Sequence, residues 1–81
     1  MGVVTSLPVI RGERGLTQQG LAELLGVSRQ TINSIERGRF EPSLSLALKA
    51  ALLLQLPVDE LFRLDVGHGF LMATASGEPV L

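Results

Sequence analysis

Residues 15–39 read GLTQQGLAELLGVSRQTINSIERGR, and this stretch predicts a helix in its first half. Three leucines there are Leu21, Leu24 and Leu25. Their spacing of i, i+3 and i+4 puts them on one helix face. Thr17 supplies an oxygen that can cap the start of such a helix, and Gly26 is a residue that ends one.

The second half of the stretch predicts another helix almost at once. Ser28 can cap it, Ile32 and Ile35 form its buried side, and Gly38 can end it in a left-handed conformation. About three residues separate the two helices, which is the spacing of a helix-turn-helix.

The flanking sequence adds three more helices, so we expect an all-α fold of five helices with possible short β segments at the termini. The first helix covers residues 7–14, with Pro8 in its first turn, where a missing N–H is tolerated. The fourth opens at residues 42–43 and runs to about 55. A short fifth helix covers residues 58–62, with Asp59 as its cap.

The last residues differ from the rest of the chain. We predict a helix-turn-helix domain over residues 1–64 and a C-terminal tail over residues 65–81. Within the tail, residues 70–75 favour a strand that on composition pairs with residues 3–7, or adds to a second chain. A frayed terminus is the alternative.

Composition narrows the class of protein. The chain has 81 residues and no cysteine, so we expect one domain without disulfides or thiolate metal sites. Its longest apolar run, residues 50–58, is interrupted by Gln55 and Pro57 and falls far short of the ~20 residues of a membrane span. The N-terminus lacks the pattern of a signal peptide. We therefore expect a cytoplasmic protein with no membrane partner.

Residues for catalysis or metal binding are not grouped in this sequence. His68 is the one histidine, and no acidic or cysteine cluster stands near it at ligand spacing. No serine or threonine has a base at a catalytic spacing. We expect a protein that is not an enzyme and that needs no metal and no cofactor.

Charge is distributed unevenly along the chain. Residues 11–39 carry five arginines and three glutamates, a balance of +2, whereas residues 40–81 carry two basic and five acidic side chains, a balance of −3. An anionic partner should therefore bind the first half.

A polar stripe runs along the third helix, on the face opposite Ile32 and Ile35. Its members are Arg29, Gln30, Asn33, Ser34 and Arg37. Arginine can bond a guanine edge bidentately, and glutamine or asparagine an adenine edge, so the stripe has the chemistry that reads bases in a major groove. Alternatively, it is a solvated helix face without a partner.

Groups suited to phosphate flank this stripe. The N-termini of the second and fourth helices offer free backbone N–H groups, and Gly38 lies between Arg37 and Arg39. These groups could hold the DNA backbone on both sides of the base-reading residues.

An ordered series of short motifs extends from Arg11 to Leu64. The motifs are Gly-Leu-Thr-Gln, Leu-Gly-Val-Ser, Arg-Gln-Thr-Ile, Ile-Glu-Arg-Gly, Pro-Ser-Leu and Asp-Glu-Leu-Phe. In this order and spacing, the chain resembles the Cro/C1-type (XRE) helix-turn-helix transcriptional regulators, particularly their short stand-alone members. The resemblance implies a λ-repressor-like fold with the third helix in the major groove of double-stranded DNA.

The resemblance also implies roles for particular residues. Base contacts are expected from Arg29, Gln30 and Asn33, with Ser34 and Thr31 nearer the DNA strand. We count Ser34 with the base-reading candidates. The phosphate-binding candidates are Thr17, Gln18, Thr31, Arg37, Arg39 and Ser43. Arg11 and Glu36 match a pair that in this family commonly forms an ion pair between the first and third helices.

The fourth helix is apolar nearly all round. We expect its inward residues to be Leu44, Ala47, Ala50, Ala51 and Leu54. A helix that is apolar on every side is buried on every side. We therefore predict a homodimer contact formed by Leu48, Leu52, Leu53 and Phe70. In the alternative, the C-terminal tail of the same chain covers these leucines.

These expectations combine into one predicted function and one alternative. The predicted function is a homodimeric transcriptional regulator, most simply a repressor, that binds a palindromic operator. The alternative is a protein-interaction module, such as an antitoxin, whose apolar fourth helix and tail bind a protein partner and for which DNA binding is secondary.

Overall fold

In the computed structural model, which describes residues 2–65, five helices lie between two short strands. The elements are β1 (Val3–Thr5), α1 (Leu7–Glu13), α2 (Gln18–Leu25), α3 (Arg29–Glu36), α4 (Leu44–Leu54), α5 (Val58–Leu61) and β2 (Phe62–Leu64). The predicted five-helix fold and the short β segments are confirmed. The division of the chain at residues 64 and 65 stays a prediction.

One apolar cluster joins all five helices. Its buried members are Leu7, Leu21, Ala22, Leu25, Ile32, Ile35, Ala50, Ala51, Leu54 and Leu61. The predicted inward side of α3 is therefore confirmed. Burying a side chain such as Leu21 or Ile32 completely contributes roughly 1.5–3 kcal/mol relative to exposing it, so this cluster is the main source of stability.

Hydroxyl side chains cap the starts of α2, α3 and α4. The oxygens of Thr17, Ser28 and Ser43 each accept a hydrogen bond from the backbone N–H three residues later, at 2.9–3.1 Å. Such a cap stabilises a helix by about 1 kcal/mol over alanine. The predicted caps at Thr17 and Ser28 are confirmed, and Ser43 caps the helix that was expected to open at residues 42–43.

Basic side chains satisfy the carbonyl groups at two helix ends. Lys49 Nζ donates to the carbonyl of Leu25, the last residue of α2, at 3.3 Å. Arg14 Nη2 donates to the carbonyl of Leu54, the last residue of α4, at 2.8 Å. Cations are favoured at helix C-termini, where the backbone carbonyls lack partners within the helix. These bonds hold α4 against α2 and the end of α1 against α4.

The short strands join the two ends of the described region. β1 and β2 are antiparallel, with Val3 opposite Leu64 and Thr5 opposite Phe62. The chain becomes extended directly after α5, so residues 62–64 occupy this edge of β1, which the sequence did not predict. The expected pairing of residues 3–7 with residues 70–75 stays a prediction. A strand in residues 70–75 and a dimer contact by Phe70 lie outside the described residues.

The fifth helix differs from its prediction at both ends. Pro57 occupies the N-cap position without a side-chain cap bond, and Asp59 lies inside the first turn, so the predicted cap is wrong. The proline already holds its φ near the value that helix entry needs. At the other end, the Thr5 hydroxyl donates to the Leu61 carbonyl at 3.0 Å, and Phe62 is extended and begins β2.

Two glycines provide a test of the backbone conformation. An added Cβ would meet nothing within 4 Å at either Gly12, inside α1, or Gly26, where φ is +73°. Gly12→Ala should raise the free energy of unfolding by about 0.5–1 kcal/mol. Gly26→Ala should lower it by about 1–2 kcal/mol, because a side chain disfavours the left-handed conformation. Denaturant unfolding measures both values, and shifts of the same sign would contradict these assignments.

Candidate nucleic-acid interface

The packing of α3 on α2 decides which side chains of α3 face outward. Ile32 and Ile35 are buried in the core, and the turn between the helices is held by the Val27 N–H, which donates to the Ala22 carbonyl at 3.0 Å. Because both isoleucines point to the core, the opposite face of α3 is left to polar residues. This is the helix-turn-helix geometry that the sequence predicts.

The base-reading candidates lie together on this outer face of α3. Arg29 and Gln30 are exposed, and Asn33 and Ser34 are half-buried beside them. Arg29, Gln30 and Asn33 line a shallow depression of about 330 Å³. Three of the four candidates are thus brought to one concave patch, and Ser34 lines a neighbouring depression with Gln30. Their contact with DNA bases stays a prediction.

The phosphate-binding candidates surround this patch. Thr17 and Ser43 are exposed at the N-termini of α2 and α4, and their oxygens accept the capping bonds. The Ser43 hydroxyl also shares a hydrogen bond of 3.3 Å with the Ser45 hydroxyl. Arg37 and Arg39 are exposed on either side of Gly38, whose φ is +73°. The left-handed glycine turns the chain out of α3 between the two arginines.

Thr31 stands slightly apart from these groups. It is half-buried, and its hydroxyl shares a hydrogen bond of 2.9 Å with the Ser28 hydroxyl. The pair of hydroxyls lies at the first turn of α3. Its phosphate contact also stays a prediction.

A buried ion pair connects α1 to the end of α3. Arg11 Nε donates to Glu36 Oε2 at 2.9 Å and Nη2 to Oε1 at 3.2 Å, while Nη1 donates to the Leu16 carbonyl at 2.9 Å. Only 5% of the Glu36 side chain and 20% of the Arg11 side chain are exposed. The hydrogen bonds to Glu36 raise the pKa of Arg11 against the opposing effect of burial. The ion pair implied by the family resemblance is therefore present.

Gln18 extends this pair to the candidate base-reading residues. Its Nε2 donates to Glu36 Oε1 at 3.0 Å, and its Oε1 accepts a long bond of 3.4 Å from Asn33 Nδ2. Sequence reasoning assigned Gln18 to phosphate alone and missed this internal role. No local pattern signals it, because the two partners lie 15 and 18 residues further along the chain.

The predicted dimer residues of α4 divide into two groups. Leu48 and Leu52 are 49% and 81% exposed and lie one turn apart, while Leu53 points about 100° away around the helix. Leu44 was expected inside and is 75% exposed, because it starts α4 at the edge of the core, beyond the reach of other elements. Leu44, Leu48 and Leu52 therefore form one exposed line, the α4 ridge.

A groove runs beside the end of the α4 ridge. It has a volume of about 460 Å³ and is lined by Leu48, Ala51, Leu52, Gln55, Leu56 and Pro57. The remaining inward residues of α4, Ala47, Ala50, Ala51 and Leu54, are buried as predicted.

Among residues 2–65, no helix has the length and apolar character needed to cross a membrane.

A model of the helix-turn-helix family matches residues 10–61, which is more than half of the chain. The chain belongs to the Cro/C1-type helix-turn-helix family. This match includes α2, α3 and the turn between them, together with both residues of the buried ion pair.

Individual relatives are also helix-turn-helix proteins. An uncharacterized HTH-type transcriptional regulator of Methanocaldococcus jannaschii is 46% identical over 56 residues, which cover 69% of this chain and 85% of that protein. An uncharacterized HTH-type transcriptional regulator of Methanothermobacter thermautotrophicus is 50% identical over 56 residues, which cover 68% of this chain and 81% of that protein. Among solved structures, the restriction-modification controller protein C.AhdI from Aeromonas hydrophila superposes with a TM-score of 0.62 at 37% identity, covering 67% of this chain and 82% of that one.

The family determines the class of function. Its members are DNA-binding transcriptional regulators, a non-enzymatic class. The comparisons do not favour the alternative of an antitoxin-like module.

The buried ion pair yields a stability prediction. Arg11→Met should lower the free energy of unfolding by about 3 kcal/mol, because it leaves the Glu36 carboxylate buried without its cation. The double variant Arg11→Met/Glu36→Met should be more stable than Arg11→Met alone, since it removes the unpaired charge. Glu23→Gln, which alters an exposed carboxylate on α2, serves as control. Denaturant unfolding of these variants and of the wild-type protein would contradict this role if the double variant were no more stable than Arg11→Met alone.

Proposed function

We propose that this chain is a homodimeric repressor that reads a palindromic operator in double-stranded DNA through the outer face of α3. The observation that carries the proposal is the division of α3 into a buried apolar side and an exposed polar side. A helix of this kind, held by its neighbour in a helix-turn-helix, fits the major groove and brings its first residues to the base edges. The cytoplasmic location expected from the sequence belongs to the same proposal.

The side chains on the outer face match particular base edges. Arg29 is suited to the O6 and N7 acceptors of guanine, and Gln30 and Asn33 to the N6 and N7 groups of adenine. Each good bidentate pair contributes roughly 1–3 kcal/mol of discrimination against the wrong base. The long hydrogen bond that Asn33 Nδ2 donates to Gln18 Oε1 supports the proposal, because it favours one orientation of the Asn33 amide.

The DNA backbone would be held on both sides of α3. The α2 terminus at Thr17 and the α4 terminus at Ser43 point backbone N–H groups outward, and helix N-termini favour anions. Arg37 and Arg39 add charge next to the α4 terminus. Phosphate contacts of this kind fix the register of a protein on DNA and supply most of the salt-dependent affinity.

The α4 ridge supports the dimer. Leu44, Leu48 and Leu52 follow each other at intervals of four residues, so a second copy can pack its own ridge against them in a two-fold arrangement. Such a dimer presents two copies of α3 to half-sites about 34 Å apart, one turn of DNA. A protein that occupies an operator in this way blocks access of the transcription machinery to the same DNA.

Base reading and phosphate binding are separable by mutation. The wild-type protein should enrich a palindrome from randomised duplexes at near-physiological salt. Arg29→Ala should relax the preference at one position of each half-site by roughly 1–3 kcal/mol. Arg39→Ala should weaken binding to all sequences and reduce the slope of log K against log salt by about 1 for each subunit.

The control for these variants is Arg63→Ala, which removes an arginine from β2, outside the proposed surface. It should leave both the preferred sequence and the salt slope unchanged. Failure of folded wild-type protein to enrich any sequence would refute sequence-specific reading.

A substitution in the α4 ridge tests the proposed dimer. Wild-type protein should sediment as a dimer at micromolar concentration, and Leu52→Glu should sediment as a monomer, because it places a charge in an apolar contact. Val9→Glu, which alters an exposed apolar residue of α1, is the matched control and should remain dimeric. A wild-type monomer, or a dimer that survives Leu52→Glu, would overturn this interface.

A further inference from the structure

Phe40 is an exposed aromatic residue on the proposed DNA-binding side of the molecule. It lies between α3 and α4, and 52% of its surface is accessible, so the core does not explain its presence. Its ring forms one wall of a depression of about 270 Å³. The other walls of this depression are Ser28, Gln30, Thr31 and Ser34, all from α3 or its cap.

The backbone holds Phe40 close to α3. The N–H of Gly38 donates to the Ile35 carbonyl at 3.1 Å, and the N–H of Arg39 donates to the Ser34 carbonyl at 2.9 Å. With φ of +73° at Gly38, the chain reverses and brings the next residues back beside α3. The phenyl ring therefore belongs to the same surface as the base-reading candidates.

The walls of the depression combine apolar and polar chemistry. The ring and the Thr31 methyl are apolar, while Gln30 and Ser34 offer hydrogen-bonding groups. The hydroxyls of Ser28 and Thr31 bond each other at 2.9 Å, so their polar atoms are partly occupied within the protein. An occupant of this depression needs a small apolar group beside hydrogen-bonding atoms.

We propose that Phe40 receives the C5-methyl group of a thymine in the operator, next to the base read by Gln30. This inference rests on the proposed function. In the major groove the thymine methyl is the apolar group that a base presents, and phenylalanine is among its partners. A deoxyribose is also apolar, but the depression shares Gln30 with the base-reading patch, which favours a contact on the base edge. Phe40 thereby becomes a residue that determines specificity.

Deoxyuridine tests this proposal, because it differs from thymidine by the methyl group alone. In the duplex selected by the wild-type protein, each thymine is replaced in turn by deoxyuridine, and the dissociation constant is measured at fixed salt. One thymine in each half-site should be sensitive, with a loss of about three- to fivefold, the value of one buried methyl group. Phe40→Ala should bind the thymine duplex with a similar loss and should not distinguish it from the deoxyuridine duplex.

Two further variants complete the comparison. Phe40→Leu keeps an apolar side chain and should retain discrimination, and Leu24→Ala, which trims an exposed leucine of α2, should behave as wild type. The proposal is overturned if Phe40→Ala keeps wild-type discrimination at every thymine, or if it weakens binding while no thymine methyl matters to the wild-type protein. If the wild-type protein selects no sequence, the proposed function fails, and this inference fails with it.

Discussion

The buried carboxylate of Glu36 is the constraint on which the arrangement of the first three helices depends. A charge taken out of water must be paired, and this one stands at the end of the helix that carries the polar face. Arg11 supplies the cation from α1, and Gln18 supplies a further donor from α2. The same glutamine then contacts Asn33 on the outer face. Gln18 thus links a side chain at the back of α3 to a residue at its front.

The fourth helix shows how a short chain uses one element on two sides. Its inward residues are mostly alanines, which allow α4 to approach α2 and α5 closely, while several of its leucines point outward. In a larger domain the bulky residues would fill the core. Among residues 2–65, Leu44, Leu48 and Leu52 stay exposed, so this apolar area is available to another surface.

Features that depend on neighbouring residues could be predicted from the sequence. The caps at Thr17, Ser28 and Ser43, the glycine that ends α2 and the buried isoleucines of α3 follow from local spacing. The strand β2 and the exposure of Leu44 could not, because they depend on what distant segments cover. The candidate site divides in the same way: the polar stripe of α3 was identified from helix periodicity, whereas the bond between Gln18 and Asn33 and the placement of Phe40 required the folded chain.

The pairing of β1 with β2 connects segments about sixty residues apart in the sequence. Closing so long a loop costs chain entropy, whereas the contact between α2 and α3 closes a short one. Contacts of low sequence separation form fast, so we expect the helix-turn-helix to form early in folding and the strand pair to form late. Each strand has only three residues, so we expect the strand pair to open locally in the native state. The surface assigned to DNA thus belongs to the early-forming part of the chain, and the ends can open without dissolving it.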